Sequence, residues 1–434
     1  MMLPVAPGSS RFYYGWLLVW ALGITTIVSY GTTQYLFGVL VVPVQHETGW
    51  SRGGLSGAYS LSFVAVGVLG VPIGRLVDRY GARALMTGGS ALGGLCLIGL
   101  SQVHQLWQFY ALWAGGLGLA MALTFYSVSF VVVANWFQRR RGAALALLTL
   151  IGGLASPIYV PLAGLLVQAL GWRGTVVAMG SSQLLIALPL HALAVRRHPE
   201  DLGLLPDGVT GPSHAGPARP TGALLGEALR RPAFWTLTLS GTLSLAAASA
   251  INAHQVPYMI GRGQDPVLAA TMAGLVGVAS LPGRFALNTL SDRLGPQRLL
   301  APCLAVQAAG VIILVMAGSV PLLATYVAVY GFAFGALNPL RASVMADHFG
   351  RRAFGSITAM QGMATWLGAG LGPLGAGWLY DRSGNYVLAL WLATAALAVS
   401  ALAVALTPRA GPASLSLRPA GTSGGGTGTE GPGP

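Results

Sequence analysis

The chain has 434 residues, of which 54% are hydrophobic and only 8% are charged, whereas roughly a quarter of the residues of an ordinary soluble domain are charged. So few charges cannot cover a water-soluble surface of this size, which excludes a soluble globular protein. The net charge of +13 comes from 24 cations, all of them Arg. Because these lie between apolar runs, they favour anionic membrane lipid as a partner and not nucleic acid.

Apolar runs recur along the chain at the length of about 20 residues that a helix needs to cross a bilayer. They predict an all-α, polytopic membrane protein with twelve membrane-spanning helices in two six-helix bundles. The predicted spans are 15–42, 52–73, 84–103, 106–134, 143–169, 174–195, 232–258, 267–290, 299–317, 321–345, 354–379 and 386–407. The first run lacks a small-residue cleavage site, so we interpret it as a retained helix and not as a signal peptide.

Composition divides the chain into four segments. Residues 1–195 are the predicted first bundle, and 232–407 are the second. Between them, 196–231 is rich in Pro, Gly and charge and is the predicted cytoplasmic linker. The tail 408–434 is mostly Gly, Ser, Thr and Pro, and we expect it to be disordered because it cannot bury a core.

The distribution of Arg predicts the orientation. With both termini in the cytoplasm, eighteen Arg fall on the cytoplasmic side and two within spans. The four on the outer side are Arg52, Arg173, Arg262 and Arg382. This bias follows the positive-inside rule. It predicts a multi-pass protein of the cell inner (plasma) membrane with both termini cytoplasmic.

A short turn motif occurs after the second span and again after the eighth. Its residues are Asp78, Arg79, Gly81 and Arg83 in the first copy and Asp292, Arg293 and Gly295 in the second. Gly permits a tight turn, and Asp at a helix end can pair with Arg or cap a neighbouring helix. We interpret both copies as a cytoplasmic gate. The alternative is that they are only topology-setting loop charges.

The two copies of this motif indicate an internal duplication. Asp78 and Asp292 are 214 residues apart, and a second signature repeats between Phe137 and Phe349, 212 residues apart. Two signatures in the same order at nearly one offset predict a six-plus-six repeat. Such repeats are typical of transporters that bind their substrate at the repeat interface.

Three segments resemble a known family. Residues 74–83 resemble the signature of the major facilitator superfamily, and the resemblance covers about residues 12–407. Residues 38–51 resemble the first loop of its monocarboxylate transporter-like and oxalate/formate antiporter-like branches, and 136–144 are similar to the monocarboxylate signature that enters the fifth helix. A departure occurs at 13–16, where that family usually has an acidic residue before Gly-Gly-Trp-Gly-Trp. The resemblance implies a secondary carrier whose two bundles rock about a midplane site.

Arg284 is a charged side chain inside the eighth span, roughly 12 Å along the helix from Asp292 at about 1.5 Å per residue. An Arg at this depth costs about 2.5–3.5 kcal/mol, so it should face a cavity or a partner. No acidic residue lies in the middle of a span, which favours bidentate binding of a substrate carboxylate. The resemblance implies the same role, since an eighth-helix Arg binds the carboxylate in monocarboxylate transporters. The alternative is an Arg that snorkels to the gate.

Other polar side chains within spans are candidates for the same site. Tyr126 and Asn338 are 212 residues apart and occupy equivalent positions in the two halves, and Gln34 and Tyr35 lie in the first span. The resemblance implies that a fourth-helix Tyr lines the carboxylate site; the alternative for Tyr126 is interhelical packing. Arg341 either snorkels to the cytoplasmic side or guides anions through the vestibule.

His254 is a candidate proton carrier, because its reference pKa is near 6.5. A structural hydrogen bond near Pro257 is an equal alternative. Proton-coupled monocarboxylate transporters use an Asp near the eighth-helix Arg, but this sequence has no acidic residue between Asp265 and Asp292. Proton symport would therefore depend on His254 or on the substrate itself.

Together these features predict a monomeric secondary carrier for a small organic anion, specifically a monocarboxylate, with a proton or counter-anion as the coupled partner. The sequence lacks nucleotide-loop, hydrolase-elbow, zinc and Cys-x-x-Cys motifs, so we expect no enzyme activity, cofactor or metal. One alternative is an efflux carrier for hydrophobic drugs or cations, although a cation carrier should have a buried carboxylate. The other is a membrane ligand sensor, which would often carry a soluble domain.

Overall fold

The computed structural model describes residues 13–138, 140–208, 222–350 and 352–409, except for the side chains of Asn288 and Asp292. Over these residues the chain is almost wholly helical and has no β-strand. The predicted all-α class is therefore confirmed. Nearly all of the predicted tail lies outside the described residues, and the predicted boundaries of the bundles and linker stay predictions.

The first half contains ten α-helices, and three of its membrane crossings include a π-helical segment. The α-helices are α1 (Tyr14–Tyr30), α2 (Leu36–Thr48), α3 (Arg52–Tyr80), α4 (Ala82–Leu100), α5 (Leu106–Tyr110), α6 (Gly118–Thr124), α7 (Tyr126–Trp136), α8 (Arg141–Gly152), α9 (Ala155–Ser182) and α10 (Leu188–Ala194). The π-helical segments are Gly31–Tyr35, Ala111–Leu117 and Gln183–Ala187. Each joins the α-helices on either side of it into one crossing.

The second half is built from longer, uninterrupted helices. After two short 3₁₀ turns (Pro199–Leu202 and Pro206–Gly208) and the five-residue helix α11 (Leu225–Leu229), they are α12 (Pro232–Gly261), α13 (Pro266–Leu294), α14 (Pro296–Met316), α15 (Val320–Phe349), α16 (Phe354–Ser383) and α17 (Val387–Leu406). Pro lies at the first or second helical position of α12 to α15. Its fixed φ suits the start of a helix, where no N–H donor is needed.

The described helices make twelve crossings, the number predicted. Ten helical runs among these residues are long and apolar enough to span a bilayer. One of them, Arg141–Ala194, has 54 residues and would be roughly 80 Å long if straight, against a hydrocarbon core of about 30 Å. It turns at Gly171, where φ is 68° and ψ is 174°, and so supplies two crossings. The twelfth is α16, a glycine-rich helix of 30 residues that packs against α3 and α12.

The helix ends define two faces of the molecule. The linker face carries the start of α1 and the turn at Gly81, together with both described ends of the linker. The far face carries the turns at Gly49, Gly171 and Gly384. All four of these glycines have positive φ, a conformation that costs glycine little and other residues more.

The two bundles pack together at the far face and separate toward the linker face. A Cβ atom added at Gly377 of α16 would lie 2.8 Å from the Arg52 carbonyl oxygen, and one at Gly370 would lie 2.9 Å from that of Ser60. Near the linker face, a Cβ atom at Gly70 of α3 would meet no described atom within 4 Å. The structure is therefore closed at the far face and open toward the linker face.

Each described end of the linker is fastened to its own bundle. Asp207 accepts hydrogen bonds from the backbone N–H groups of Gln138 (3.0 Å) and Arg140 (3.2 Å) in the first bundle. In the second bundle, the Ala223 N–H donates to the Phe349 carbonyl oxygen (2.8 Å). The described parts of the linker therefore move with the bundle to which each is attached.

Candidate functional site

Arg284 lies on α13 beside a close contact between α13 and α15. A Cβ atom at the preceding residue, Gly283, would overlap the Phe332 carbonyl oxygen, so glycine is what lets the two backbones approach. The Arg284 side chain is half-buried. Its Nη1 donates a hydrogen bond to the Thr149 carbonyl oxygen of α8. Because α8 belongs to the first bundle and α13 to the second, this bond crosses the interface.

The acceptor of that bond lies where the fifth crossing is broken. α8 ends at Gly152, and α9 begins at Ala155. The Thr149 carbonyl belongs to the last turn of α8 and also accepts from the Gly153 N–H (3.0 Å). The carbonyl groups at a helix C-terminus carry the negative end of the helix dipole. They are therefore a favourable environment for a guanidinium group.

Two predicted tyrosines share the surroundings of Arg284. Tyr35 and Tyr126 both interact electrostatically with its guanidinium. Tyr35 is the last residue of a π-helical segment, and Tyr126 is the first residue of α7. α7 follows a break at Phe125, where ψ is 175°. Both tyrosines of the first bundle thus lie at irregular backbone, Tyr35 in the first crossing and Tyr126 in the fourth, while Arg284 comes from the second bundle.

Gln34 and Asn338, the other two predicted substrate residues, have different surroundings. Gln34 is half-buried, and its backbone carbonyl accepts from the Tyr59 hydroxyl (2.8 Å). Asn338 is exposed on α15, one helical turn before Arg341. Neither amide side chain makes a hydrogen bond within the described part of the chain. The half-buried Arg341 donates from Nη2 to the Ser244 hydroxyl of α12, a bond that stays inside the second bundle.

His254 lies in a hydrogen-bonded cluster on the far-face side of α12. Its Nδ1 is 3.0 Å from the Tyr386 hydroxyl, and its Nε2 is 3.0 Å from the Pro373 carbonyl oxygen and 3.3 Å from the Ser56 hydroxyl. A carbonyl can only accept, so Nε2 carries the proton and Nδ1 accepts from Tyr386. Every polar atom of the neutral imidazole therefore has a partner. The Ser56 contact reaches across to the first bundle.

Arg52 joins the same cluster from the first bundle. Its Nη1 donates to the Tyr386 hydroxyl (3.0 Å), and its Nε donates to Gln45 (2.7 Å). Its guanidinium carbon lies 3.7 Å from the centroid of the Tyr380 ring, a cation–π geometry. The Tyr386 hydroxyl, which accepts from Arg52, can in turn donate a hydrogen bond to His254.

A carboxylate completes the far-face contact. Asp381 of α16 accepts from the backbone N–H groups of Arg52 (2.9 Å, Oδ1) and Gly53 (2.8 Å, Oδ2). These are the first two residues of α3. The side chain of one bundle thus caps a helix N-terminus of the other, where a negative charge is stabilised by the helix dipole. We call Arg52, His254, Asp381 and Tyr386 the far-face cluster.

In the described structure, the first copy of the predicted gate motif contacts only its own bundle and the adjoining start of the linker. Gly81 has a φ of 82°, as the tight turn requires. Arg83 donates to the Ala192 carbonyl oxygen (2.7 Å). The backbone carbonyl of Asp78 accepts from Arg197. The open linker face separates these groups from the second bundle.

The second copy has the same backbone geometry. Gly295 has a φ of 85°, and the Arg293 side chain is exposed. In the first copy, the Arg79 guanidinium lies 5.2 Å from the centroid of the Tyr80 ring. The Asp292 side chain lies outside the described residues. The predicted gating role of both copies therefore stays a prediction.

Sequence reasoning missed Thr149 and most of the far-face cluster. A backbone carbonyl such as that of Thr149 has no sequence signal at all. Arg52 did have a sequence signal, because it is one of only four Arg on the predicted outer side. Asp381 lies in a short polar stretch between two predicted spans, and Tyr386 is the first residue of the predicted twelfth span. Sequence alone does not distinguish this stretch from an ordinary turn.

Comparisons with known proteins agree with this architecture. The profile described as Major Facilitator Superfamily matches residues 22–320 and 263–427. Monocarboxylate transporter 13 of Bos taurus is 29% identical over 390 residues, covering 88% of this chain and 87% of its own. Monocarboxylate transporter 11 of Homo sapiens is 27% identical over 407 residues, covering 90% and 82%.

A solved structure has the same fold. It is a bacterial homologue of the human lysosomal transporter Spinster in an inward-facing, unoccupied conformation. It aligns with a TM-score of 0.66 at 16% identity, over 92% of this chain and 95% of its own. The predicted fold and the predicted resemblance to the monocarboxylate transporter-like branch are confirmed.

Proposed function

Because the chain belongs to the Major Facilitator Superfamily, whose members are multi-pass membrane transporters, we propose that it carries a small organic anion, specifically a monocarboxylate, by alternating access. The two bundles rock about a site near the middle of the membrane. Arg284 binds the carboxylate, and Tyr35 and Tyr126 contact the same ligand. Asn338 and Gln34 adjust selectivity from the open side.

The observation that carries this proposal is the environment of Arg284. Its guanidinium is held by a backbone carbonyl, and two phenol groups lie within electrostatic range of it. A carboxylate can accept from both the guanidinium and the phenol hydroxyls, and such charge-assisted bonds are about twice as strong as neutral ones. A cationic substrate would be repelled by Arg284. The arrangement therefore favours an anion over the cations of the efflux alternative.

The orientation and coupling are part of the proposal. The linker face is cytoplasmic and the membrane is the cell inner (plasma) membrane, because the Arg residues concentrate on that face. The structure then corresponds to an inward-open state. A proton or a counter-anion supplies the driving force. We propose a monomer, in which Arg341 guides anions through the cytoplasmic vestibule.

Uptake of labelled lactate, formate and oxalate into proteoliposomes tests the function, with Arg284→Ala and Arg284→Lys beside the wild type. We expect wild-type uptake of at least one monocarboxylate. Arg284→Ala should lower it by about 10- to 100-fold, because a hydrogen bond to a charged group contributes about 1.5–3 kcal/mol. Arg284→Lys should retain an intermediate rate, because Lys keeps the charge and loses the forked geometry.

Arg382→Ala is the matched control. It removes an exposed Arg whose guanidinium stacks on Trp378 at the far face. This variant should transport like the wild type. Carboxylate uptake that is unchanged in Arg284→Ala would exclude the binding role of Arg284. A wild type that takes up none of the three anions would contradict the substrate class.

A further inference from the structure

The last turn of α8 has a position that neither the repeat nor the charge pattern identifies. Gly152 is buried, and a Cβ atom there would overlap the Tyr126 hydroxyl oxygen. The same Cβ atom would also lie 2.8 Å from the Thr26 Cγ2 atom. The Tyr126 hydroxyl therefore occupies space that any side chain at 152 would need.

The Tyr126 ring has little room to move aside. The Tyr30 ring lies on one side at a centroid distance of 5.0 Å and is tilted by 43°. The Phe130 ring stacks at 5.2 Å. A methyl group at Gly152 would therefore have to displace the phenol from its present position near Arg284.

The same helical turn also holds the cation. Thr149, three residues before Gly152, provides the carbonyl oxygen that accepts from Arg284. Residues 149–152 are thus next to both Arg284 and Tyr126. The Thr149 carbonyl oxygen accepts a hydrogen bond from Arg284, and the Tyr126 hydroxyl fills the space that Gly152 leaves by having no side chain. The break after Gly152 ends α8 at this point.

We propose that Gly152 is a positioning and specificity-determining residue: the end of α8 sets the placement of the Tyr126 hydroxyl relative to Arg284, and so which carboxylic acids fit between them. This deepens the proposed function and rests on it. Gly152 does not touch the substrate itself. It acts through Tyr126, so a substitution at Gly152 should change the relative affinities for carboxylic acids of different size.

Gly152→Ala tests the proposal, and Gly142→Ala on the same helix is its matched control. A Cβ atom at Gly142 would meet no described atom within 4 Å. Gly142 lies inside α8 and is exposed, so alanine fits there. Initial uptake rates in proteoliposomes give KM and maximal rate for formate, acetate and lactate.

We expect Gly152→Ala to raise KM by about tenfold, within the range of coupling energies between residues in contact. Gly142→Ala should stay within about threefold of the wild type, since a residue without the contact to Tyr126 lacks that coupling. The rise in KM should be unequal among the three acids, because a displaced phenol changes the shape of the site. Equal KM values in Gly152→Ala and the wild type would overturn the proposal.

A double variant separates this mechanism from a general loss of folding. In Tyr126→Phe the hydroxyl is absent, and the atoms nearest the added methyl group are Thr26 Cγ2 at 2.8 Å, which is present in both backgrounds, and the ring carbon Cζ at 3.1 Å. Adding Gly152→Ala to Tyr126→Phe should therefore change KM by about threefold or less. An equal effect of Gly152→Ala in both backgrounds would show that it acts elsewhere and would overturn the proposal.

The wild-type measurement distinguishes a failure of the proposed transport function from a failure of the role proposed for Gly152. A wild type that transports none of the acids contradicts the proposed function itself. A wild type that transports them, together with a Gly152→Ala variant of unchanged KM, contradicts only the role of Gly152.

Discussion

The order of hydrogen bonds in the far-face cluster depends on the protonation of two residues. Arg52 donates to the Tyr386 oxygen, Tyr386 donates to His254, and His254 donates to the Pro373 carbonyl. These hydrogen bonds all run in one direction, from the Arg52 guanidinium to the Pro373 carbonyl oxygen, which has no proton to donate. A second proton on His254 would meet the Tyr386 oxygen that already accepts from a guanidinium. The cluster thus fits a neutral His254 when the far face is closed.

Tyr386→Phe should destabilise the closed far face. The change leaves Arg52 Nη1 and the buried Nδ1 of His254 without their partner, at a cost of about 1–3 kcal/mol for each buried group left unsatisfied. We expect a melting temperature in detergent several degrees below that of the wild type. Tyr380→Phe is the control, because the Tyr380 hydroxyl makes no hydrogen bond within the described residues. Equal melting temperatures of the two variants would contradict the hydrogen-bond order.

The sequence could identify those functional residues whose polar or charged side chains lie within an apolar run. Arg284 stands out because a charge inside an apolar run must have a reason. Tyr35 and Tyr126 were weaker candidates, and the structure now brings both near Arg284. Thr149 could not be identified, because every residue has a carbonyl group. Thr149 differs from other residues because α8 ends three residues later, at Gly152, and the sequence did not predict that break.

At the scale of helices, glycine decides which helices approach closely. α16 contains Gly377, whose Cβ position lies 2.6 Å from the Ser56 hydroxyl of α3, and Gly375, whose Cβ position has no described atom within 4 Å. Gly377 therefore permits the close approach of α16 to α3, whereas Gly375 does not lie at such a contact. The spacing of glycines in the sequence indicated small-residue packing but not which face of α16 meets the other bundle.

Gly377→Val should hold α3 and α16 apart at the far face, because a Cβ atom at Gly377 would lie 2.8 Å from the Arg52 carbonyl oxygen, closer than a Cβ atom packs against backbone. Spin labels at the exposed far-face residues His104 and Arg262 would report the separation. We expect a longer distance between the labels in Gly377→Val and an unchanged distance in Gly375→Val. The same distance in both variants would contradict the role of this contact.

The fold was more predictable than the site. Apolar runs long enough to span a bilayer identified the crossings within a few residues, since their length is set by the membrane. The boundary between the fifth and sixth crossings was also predicted, between 169 and 174, and the chain turns there at Gly171. The breaks inside crossings escaped prediction, because a π-helical segment has the same composition as the helix around it.

At the scale of the whole molecule, the closed far face rests on a capping interaction between bundles. Asp381 caps α3 from the other bundle, whereas Asp265 caps its own helix, α13, by accepting from Val267 and Leu268 (both 2.9 Å). The first interaction must break when the far face opens, and the second need not. The two aspartates are therefore a matched pair for testing alternating access.

Asp381→Asn should shift the equilibrium away from the state open to the linker face. Asn keeps the shape and loses the charge and one acceptor, which at a helix N-terminus costs about 0.5–2 kcal/mol. A single cysteine at Gly70, with Cys96 and Cys303 replaced by Ala, would report the opening through its reaction with a maleimide.

The labelling rate should fall several-fold in Asp381→Asn and remain unchanged in Asp265→Asn. Equal rates in the two variants would mean that the cap does not contribute to closure.

The π-helical segments have a consequence for how the two halves align. A π turn contains one residue more than an α turn, and three crossings of the first half contain one, whereas none is found in the described helices of the second. Asp78 and Phe137 are 59 residues apart, and Asp292 and Phe349 are 57. The segment Ala111–Leu117 lies within the longer interval. The extra residue of this π turn can account for one of the two residues by which the intervals differ, so part of the difference between the two halves lies inside a crossing and not in a loop.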